Sequence, residues 1–182
     1  MHKKAAAFLL VALLCKSLFG FELDRTQIAI QAKIYPQLIF FVSKNRELSP
    51  QKPIVVAAVY TEGTKRFAEM FKEECEKLYK GGIKGFSLQI KLVHKDKVGS
   101  GEDYNSCYVI FEDDDDTRVY ASPKLRGMLT FAGNKRVFEK NGAMFFVEIT
   151  NKTSILLNKK TLNASGISFD PSLLKIVRVY DE

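Results

Sequence analysis

The segment of the chain that decides the fold lies near the C-terminus, where residues Ala143 to Val179 read AMFFVEITNKTSILLNKKTLNASGISFDPSLLKIVRV. Its first half contains two runs of apolar and β-branched residues, separated by the polar pair Asn151–Lys152. Two such runs around a short polar turn are typical of a β-hairpin. Asparagine also tolerates the positive φ angle that a tight hairpin turn requires. We therefore expect a hairpin between Ala143 and Asn158.

The second half of this segment carries helix start and stop signals. Asn158 is suited to an N-cap, because its side chain accepts a free backbone N–H of the following turn, and Gly166 suits the position after a helix ends. Asp170 and Pro171 form a second start signal, a capping carboxylate before a proline whose missing N–H costs nothing at the first helical position. We expect a short helix, a connector and a terminal helix.

Four segments before the hairpin are predicted to be β-strands or to contain them. Ile54–Val59 and Cys107–Phe111 are apolar throughout, which is typical of strands buried on both faces of a parallel sheet. Gly85–Leu92 alternates apolar and polar residues, which favours a half-exposed strand towards the edge of the sheet. Met128–Ala132 is predicted to be the next strand.

Two helices are predicted in the same part of the chain. Leu23–Val42 has apolar residues at helical spacing and Asp24 as a cap, and Pro36 is expected to kink or interrupt it. Lys65–Tyr79 places apolar residues on one face and glutamates largely on the other. The remaining connections are interpreted as a compact crossover, Thr117–Gly127, and a basic loop, Asn134–Asn141.

Together these elements predict an α/β fold. Strands that alternate with helices and end in a hairpin indicate a layered α/β/α domain with a mixed, mostly parallel sheet, a C-terminal antiparallel hairpin and short helices. The chain has 182 residues, which is enough for one domain with a substantial core.

The first 20 residues are predicted to be a secretory signal peptide. Lys3 and Lys4 precede the short apolar run Ala5–Leu14, and small residues follow it. We expect cleavage near Gly20, which leaves residues 21–182 as one domain in the periplasm. The alternatives are an uncleaved membrane anchor and a lipid anchor at Cys15, where the preceding leucine is bulkier than such processing sites prefer.

The charge of the exported domain argues against nucleic acid as a partner. The net charge is +7, and loss of the three lysines before residue 20, with no acid among these residues, lowers it to +4. No block of lysine and arginine with interleaved aromatic residues occurs in the sequence.

Cys75 and Cys107 are predicted to form a disulfide. A helix that follows the first strand returns antiparallel to it, so Cys75 in the last turn and Cys107 at a strand start should lie at the same edge of the sheet. An even pair of cysteines in an oxidising compartment favours a bridge. The alternative is two separate buried thiols.

The sequence contains no catalytic set that we can assemble. His94 is the one histidine after the signal peptide, and no serine elbow or second metal-type ligand lies near it in sequence, so it is interpreted as a surface residue. The run Asp113, Asp114, Asp115 and Asp116 offers carboxylates to a cation such as Ca²⁺, but it lacks the alternating spacing and the glycine of an EF-hand loop. A solvated loop that ends in a helix cap is the other interpretation. We expect no cofactor and no enzymatic activity.

The C-terminal segment resembles the YfiR-like family of periplasmic regulatory proteins. The family pattern combines a Gly-Gly-Met-Ile strand, a hairpin, a Phe-x-Ile-Asn strand end and a Gly-x-x-Ile-Ser-Ser-x-Leu-Leu-Lys-Leu-Ala helix. The strand that starts at Cys107 also resembles a Cys-His-x-Leu-Phe strand of the family. The matching residues in the C-terminal segment are Gly142, Met144, Asn158, Gly166, Ile167, Leu173, Leu174 and Lys175, with Asn141, Leu156–Leu157 and Asp170–Pro171 as departures.

The resemblance implies a function. YfiR-like proteins bind and inhibit the periplasmic part of a membrane diguanylate cyclase and thereby control cyclic-di-GMP signalling. They look like homodimers in that role, and their redox state affects their stability or activity. It implies an inner-membrane sensor, such as a diguanylate cyclase, as the partner, and mostly structural roles for the matching residues. The alternatives are a non-catalytic small-ligand-binding or assembly module of another envelope system, and an envelope hydrolase, for which no catalytic group is found.

Overall fold

Seven strands and four α-helices occur in residues 23–42, 48–99, 103–112 and 128–181, which are the parts of the chain that the computed structural model describes. In chain order they are α1 (Arg25–Leu38), β1 (Ile54–Tyr60), α2 (Lys65–Leu78), β2 (Leu88–His94), β3 (Ser106–Ile110), β4 (Leu129–Ala132), α3 (Lys135–Asn141), β5 (Phe145–Ile149), β6 (Thr153–Asn158), α4 (Lys159–Ser165) and β7 (Val177–Tyr180). Short 3₁₀ turns cover Ile39–Phe41, Glu62–Thr64, Lys95–Lys97 and Pro171–Lys175.

The strands form one sheet in the order β2-β1-β3-β4-β5-β6-β7. The first five strands of this order are parallel, β6 is antiparallel to β5, and β7 is parallel to β6. The predicted α/β fold with a mixed, mostly parallel sheet is therefore confirmed. The strictly alternating strand, β2, lies at the edge of the sheet, and the continuously apolar strands β1 and β3 lie inside it, as the pattern indicated.

Two hydrophobic cores lie on opposite faces of this sheet. Along β3, Tyr108 and Ile110 belong to a core shared with α1 and α2, whereas Cys107 and Val109 belong to a core shared with α3. Successive side chains of a strand point to opposite faces, which explains this division. We refer to the two sides of the sheet as the α1/α2 face and the α3 face.

The hairpin and both predicted caps are confirmed. β5 and β6 pair in antiparallel fashion around the turn at residues 150–152. The Asn158 side chain accepts a hydrogen bond from the backbone N–H of Thr161 at 3.0 Å, and Gly166 has a φ angle of 68° at the end of α4. Asp170 accepts the backbone N–H of Ser172 at 2.8 Å.

Two secondary-structure predictions are wrong. The terminal helix is a 3₁₀ turn followed by the strand β7, because the outer edge of β6 offers backbone partners to the β-branched residues Val177 and Val179. The basic loop Asn134–Asn141 is the helix α3, which Asn134 caps by accepting the N–H of Val137 at 2.8 Å. Val137 and Phe138 are buried in the core on the α3 face, so tertiary packing stabilises this short helix.

Pro36 does not interrupt α1, which continues to Leu38. Proline cannot donate a backbone hydrogen bond to the carbonyl group four residues earlier, here that of Ala32. The Cys75 thiol of α2 donates to this carbonyl at 3.8 Å, and the Tyr79 hydroxyl donates to the carbonyl of Lys33 at 2.7 Å. α2 and its C-cap residue Tyr79 therefore supply donors to the part of α1 where the proline removes one.

The structure does not contain the predicted Cys75–Cys107 disulfide; both cysteines are free thiols. Cys75 lies in the core on the α1/α2 face, whereas Cys107 lies on the α3 face with its sulfur 3.4 Å from that of Met128. The prediction considered the edge of the sheet at which each cysteine lies, but not the face to which each side chain points. Residues 1–20, the crossover Thr117–Gly127 and Asp113–Asp116 lie outside the described residues.

Candidate functional site

The C-terminal edge of the sheet exposes large apolar side chains. Leu174 is 60% exposed, Ile176 49% and Val179 47%, and all three lie within six residues of one another. We call these three residues the C-terminal edge surface. Exposed apolar residues that lie close together on a folded domain indicate a contact with another molecule.

The turn that carries Leu174 is anchored to the core by its neighbours. Leu173 is fully buried, and the backbone N–H of Asp170 donates to the carbonyl of Phe41 at 2.8 Å, which ties the 3₁₀ turn to the end of α1. Phe169 packs edge-on against Phe145 of β5, with ring centroids 5.6 Å apart. Hydrogen bonds from the side chain and backbone of Ser172 lower the pKa of the exposed Asp170 carboxyl, which keeps the cap charged.

Five of the six residues proposed as structural on the basis of the family resemblance have clear structural roles. Gly142 ends α3 with a φ angle of 75°, and Met144 is buried with its N–H bonded to Thr130. Asn158 and Gly166 cap α4, and Leu173 is buried. Leu174 differs, because it belongs to the same pattern but contributes most of its side chain to the surface.

A second candidate site is a cleft of about 390 Å³ at the carboxyl ends of the parallel strands. At this cleft β1 has β2 on one side and β3 on the other. The connection that follows β1 and the connection that follows β2 therefore run towards opposite edges of the sheet. Ligands of open α/β sheets bind in the crevice at this topological switch point. The described lining consists of Thr61, Glu62, Gly63, His94, Lys95, Phe111 and Glu112.

Hydrogen bonds organise the loop after β1 in this cleft. Thr61 and Thr64 form a reciprocal capping box, and the Thr64 hydroxyl also donates to the carbonyl of Ile110 at 2.6 Å, which links the ends of β1 and β3. A Cβ atom at Gly63 would lie only 2.6 Å from the Glu112 carboxylate oxygens. The glycine therefore allows this carboxylate to approach the backbone closely.

His94 lies in the cleft and is not simply a surface residue. Its side chain is 23% exposed; its Nε2 lies 3.7 Å from Glu62 and its Nδ1 3.4 Å from Asp96. The imidazole ring also packs edge-on against Tyr60. Sequence reasoning missed this position because β2 and the loop after β1 meet only in the folded sheet.

A buried polar network links α1 to the strands at the α1/α2 face. The Tyr35 hydroxyl donates to the carbonyl of Ala132 at 2.8 Å and accepts the N–H of Val147 at 3.1 Å. Gln31 donates to the carbonyl of Gly133 at 3.0 Å and accepts the Tyr108 hydroxyl. Burial raises the pKa of both tyrosines, so they remain neutral donors that join α1 to the strands.

Within the described ranges, no group of three or more histidine, cysteine or acidic residues is arranged to bind a metal ion. Asp113–Asp116, the weak metal candidate, lies outside these ranges, so that hypothesis remains a prediction. None of the helices in the described ranges combines the length and the apolar character that a membrane span needs.

Comparison with known proteins identifies a family and two distant likenesses. The model of the YfiR/HmsC-like family matches residues 29–178. No curated protein matches the chain. Among solved structures, the chain is similar to an ABC domain in complex with L-Trp from Streptococcus pneumonia, with 16% identity and a TM-score of 0.48 over 78% of this chain and 59% of that one.

It is also similar to a conserved domain protein from Vibrio cholerae O1 biovar El Tor, with 13% identity and a TM-score of 0.48 over 83% of this chain and 60% of that one. The chain thus spans about three-fifths of the length of the two solved structures.

Proposed function

Because the chain belongs to the YfiR/HmsC-like family, whose members are periplasmic regulators of membrane diguanylate cyclases, we propose that it binds the periplasmic part of such a cyclase and limits cyclic-di-GMP synthesis. The family is regulatory rather than catalytic, and we extend this non-enzymatic role to the present chain. We propose the periplasm as its location, reached by export through a signal peptide at residues 1–20 that is then cleaved.

The observation that carries this proposal is the exposure of Leu174. Leu173 anchors the turn in the core, and the next residue points its side chain outwards, 60% exposed. Leu174 matches the family pattern, yet it contributes little to the core of this chain. An exposed leucine on an anchored turn, two residues before the exposed Ile176, offers an apolar centre for a protein interface.

The test is a binding measurement with the purified periplasmic region of a membrane diguanylate cyclase encoded in the same genome. We expect Leu174→Ala to weaken binding by about tenfold, since burial of a leucine side chain in an interface contributes roughly 2 kcal/mol, most of which alanine loses, and about 1.4 kcal/mol corresponds to tenfold. Leu78→Ala is the matched control, because Leu78 is 46% exposed but lies on α2. Cyclic-di-GMP in cells that carry the Leu174 variant should rise.

Equal effects of the two substitutions would contradict the proposed surface. Failure of the unmodified protein to bind any periplasmic cyclase region would contradict the proposed function.

The proposed assembly is a homodimer. β7 ends the sheet, and no other described strand pairs with its outer edge, which carries the exposed Val179. The backbone groups of this open strand edge are suited to contact with a second copy, whereas Leu174 and Ile176, the residues assigned to the cyclase, precede β7. Sedimentation at several concentrations tests this, and a monomer at all concentrations would contradict it.

Periplasmic location is tested by fusing residues 1–20 to a reporter enzyme that is active only after export.

The cleft at the carboxyl ends of the strands favours a second candidate function, the binding of a small ligand. Its volume of about 390 Å³ falls within the range of ligand sites, and it occupies the topological switch point. A screen of small polar metabolites by NMR, with amide shifts read at Gly63 and His94, tests this function. Shifts confined to other residues would count against it.

A further inference from the structure

An exposed lysine lies in the middle of the C-terminal edge surface. Lys175 is the last residue of the 3₁₀ turn that starts at Pro171, and the exposed residues Leu174 and Ile176 flank it in the chain. No acid of the described residues forms an ion pair with Lys175. The lysine therefore adds a positive charge to this apolar surface, and the described part of the protein does not neutralise it.

A second exposed lysine lies at the same end of the sheet. β7 runs parallel to β6, so the start of β7 and the hairpin turn before β6 are at the same end. Lys152 in that turn likewise has no ion pair with a described acid. Glu148, near the end of β5 beside the turn, already lies 3.1 Å from Lys135 and 3.9 Å from Arg178. Its charge is thus used within the protein.

A partner that covers Leu174 and Ile176 also comes close to the ammonium group of Lys175. Removal of a charged group from water costs free energy unless a group of opposite charge replaces the water. A carboxylate of the partner meets this requirement, and it also accelerates association, because opposite charges attract each other before contact. This surface therefore fits a partner in which acidic residues border an apolar patch.

The charges of the turn favour a protein over a lipid surface. Asp170 exposes its carboxylate at the start of the same turn, where one oxygen accepts the backbone N–H and the hydroxyl of Ser172 at 2.8 and 2.6 Å. The charge of an anionic membrane is spread over its whole surface, so it would attract Lys175 and repel Asp170. A folded partner can place its carboxylates opposite the lysine alone.

We infer that Lys175 is a specificity-determining residue of the C-terminal edge surface, where it meets a carboxylate of the partner beside the apolar contact. The inference rests on the proposed function, because it takes the periplasmic part of a diguanylate cyclase as the partner. It adds that this part carries acidic residues around an apolar patch. Lys152 contributes to the attraction from the hairpin turn.

The experiment measures association rates and dissociation constants for the purified periplasmic cyclase region in about 0.05 M and about 0.5 M NaCl, since the higher concentration screens surface charges. We expect Lys175→Glu to weaken binding by about tenfold at the lower concentration, mainly through slower association, because attraction becomes repulsion. The loss should be smaller at the higher concentration. Lys175→Met, which removes the charge but keeps the apolar part of the side chain, should weaken binding by about threefold.

Lys160→Glu is the matched control. Lys160 is exposed, has no ion pair with a described acid, and lies in α4, which follows the other end of β6. The six residues of β6 place it about 20 Å from the hairpin turn, which is more than the screening length at the lower salt concentration. This substitution should leave binding within about twofold of the unmodified protein.

Leu174→Ala separates this inference from the proposed function, because it should weaken binding at both salt concentrations. If binding depends on Leu174 but Lys175→Glu has no effect, or no more effect than Lys160→Glu, the inference is wrong and the proposed function stands. Absence of any binding would overturn both. Retention of the unmodified protein on vesicles of phosphatidylglycerol and phosphatidylethanolamine, abolished by Lys175→Glu, would identify a lipid surface as the occupant and overturn the inference.

Discussion

At the residue scale, Tyr35 shows how one side chain completes the sheet. Strands β4 and β5 share only the pair Phe131–Phe145, and beyond it the Tyr35 hydroxyl lies between the carbonyl of Ala132 and the N–H of Val147. The hydroxyl thus replaces a hydrogen bond that the two strands do not make directly. Both backbone groups would otherwise be buried without partners, which is costly.

Replacement of Tyr35 by phenylalanine tests this role. We expect Tyr35→Phe to lower the free energy of unfolding by about 1–3 kcal/mol, because two buried backbone groups lose their partner. Tyr79→Phe is the control, since its hydroxyl bonds the carbonyl of Lys33 at an exposed site, and it should cost less than about 1 kcal/mol. Urea unfolding measures both; equal costs would contradict the proposed role.

The buried thiols predict a loss of stability at alkaline pH. Burial raises the pKa of the Cys107 thiol to about 12 and raises that of the Cys75 thiol further. Because the folded protein holds these protons more tightly than the unfolded chain, the stabilisation is complete below the unfolded pKa of about 8.5 and decreases as pH rises towards the folded values. The loss is at most about 1.4 kcal/mol per pH unit for each thiol.

Urea unfolding between pH 8 and 10 checks this expectation in the parent and in a Cys75→Ala, Cys107→Ala variant. The parent should lose stability with pH more steeply than the variant. Parallel slopes would show that the thiols do not cause the loss.

At the element scale, the connection between α2 and β2 depends on glycines in different ways. Gly82 has a φ angle of 85°, and a Cβ atom there would lie 2.4 Å from the carbonyl oxygen of Phe86. Gly85 has the same φ angle but open space around it. Gly81 lacks both restrictions. The tight turn that leads into β2 therefore requires glycine at positions 82 and 85 because of the positive φ angle. At Gly82 it also requires glycine because a side chain would collide with the Phe86 carbonyl.

Alanine substitutions at these three positions should rank in that order. We expect Gly81→Ala to be nearly neutral, Gly85→Ala to cost about 1–2 kcal/mol through the left-handed backbone, and Gly82→Ala to cost more, because a backbone oxygen cannot move aside easily. Thermal unfolding gives the ranking. A Gly82→Ala variant no less stable than Gly85→Ala would show that the backbone accommodates the added carbon.

At the scale of the whole molecule, the sheet has two open edges with different chemistry. The β7 edge carries exposed apolar residues, and the β2 edge is lined by lysines. Four strands, β1, β3, β4 and β5, separate β2 from the antiparallel end at β6 and β7.

The sequence alone determined the local structure of most elements and the family. Continuous apolar runs, strict alternation and capping residues are local patterns, so they predicted β1, β2, β3, the hairpin and the caps of α4. They failed where contacts distant in sequence decide the outcome. β7 forms because β6 leaves an open edge, and α3 forms because Val137 and Phe138 reach the core on the α3 face.

Only the tertiary structure decided which side chains meet. Cys75 and Cys107 lie on opposite faces because a strand alternates its side chains, and a difference of one residue changes the face. His94 and Glu62 come together because the sheet order places β2 beside β1. The exposure of Leu174 follows from the burial of Leu173 within a 3₁₀ turn, where adjacent side chains cannot share a direction. Local patterns specify elements, and packing between distant elements specifies surfaces and sites.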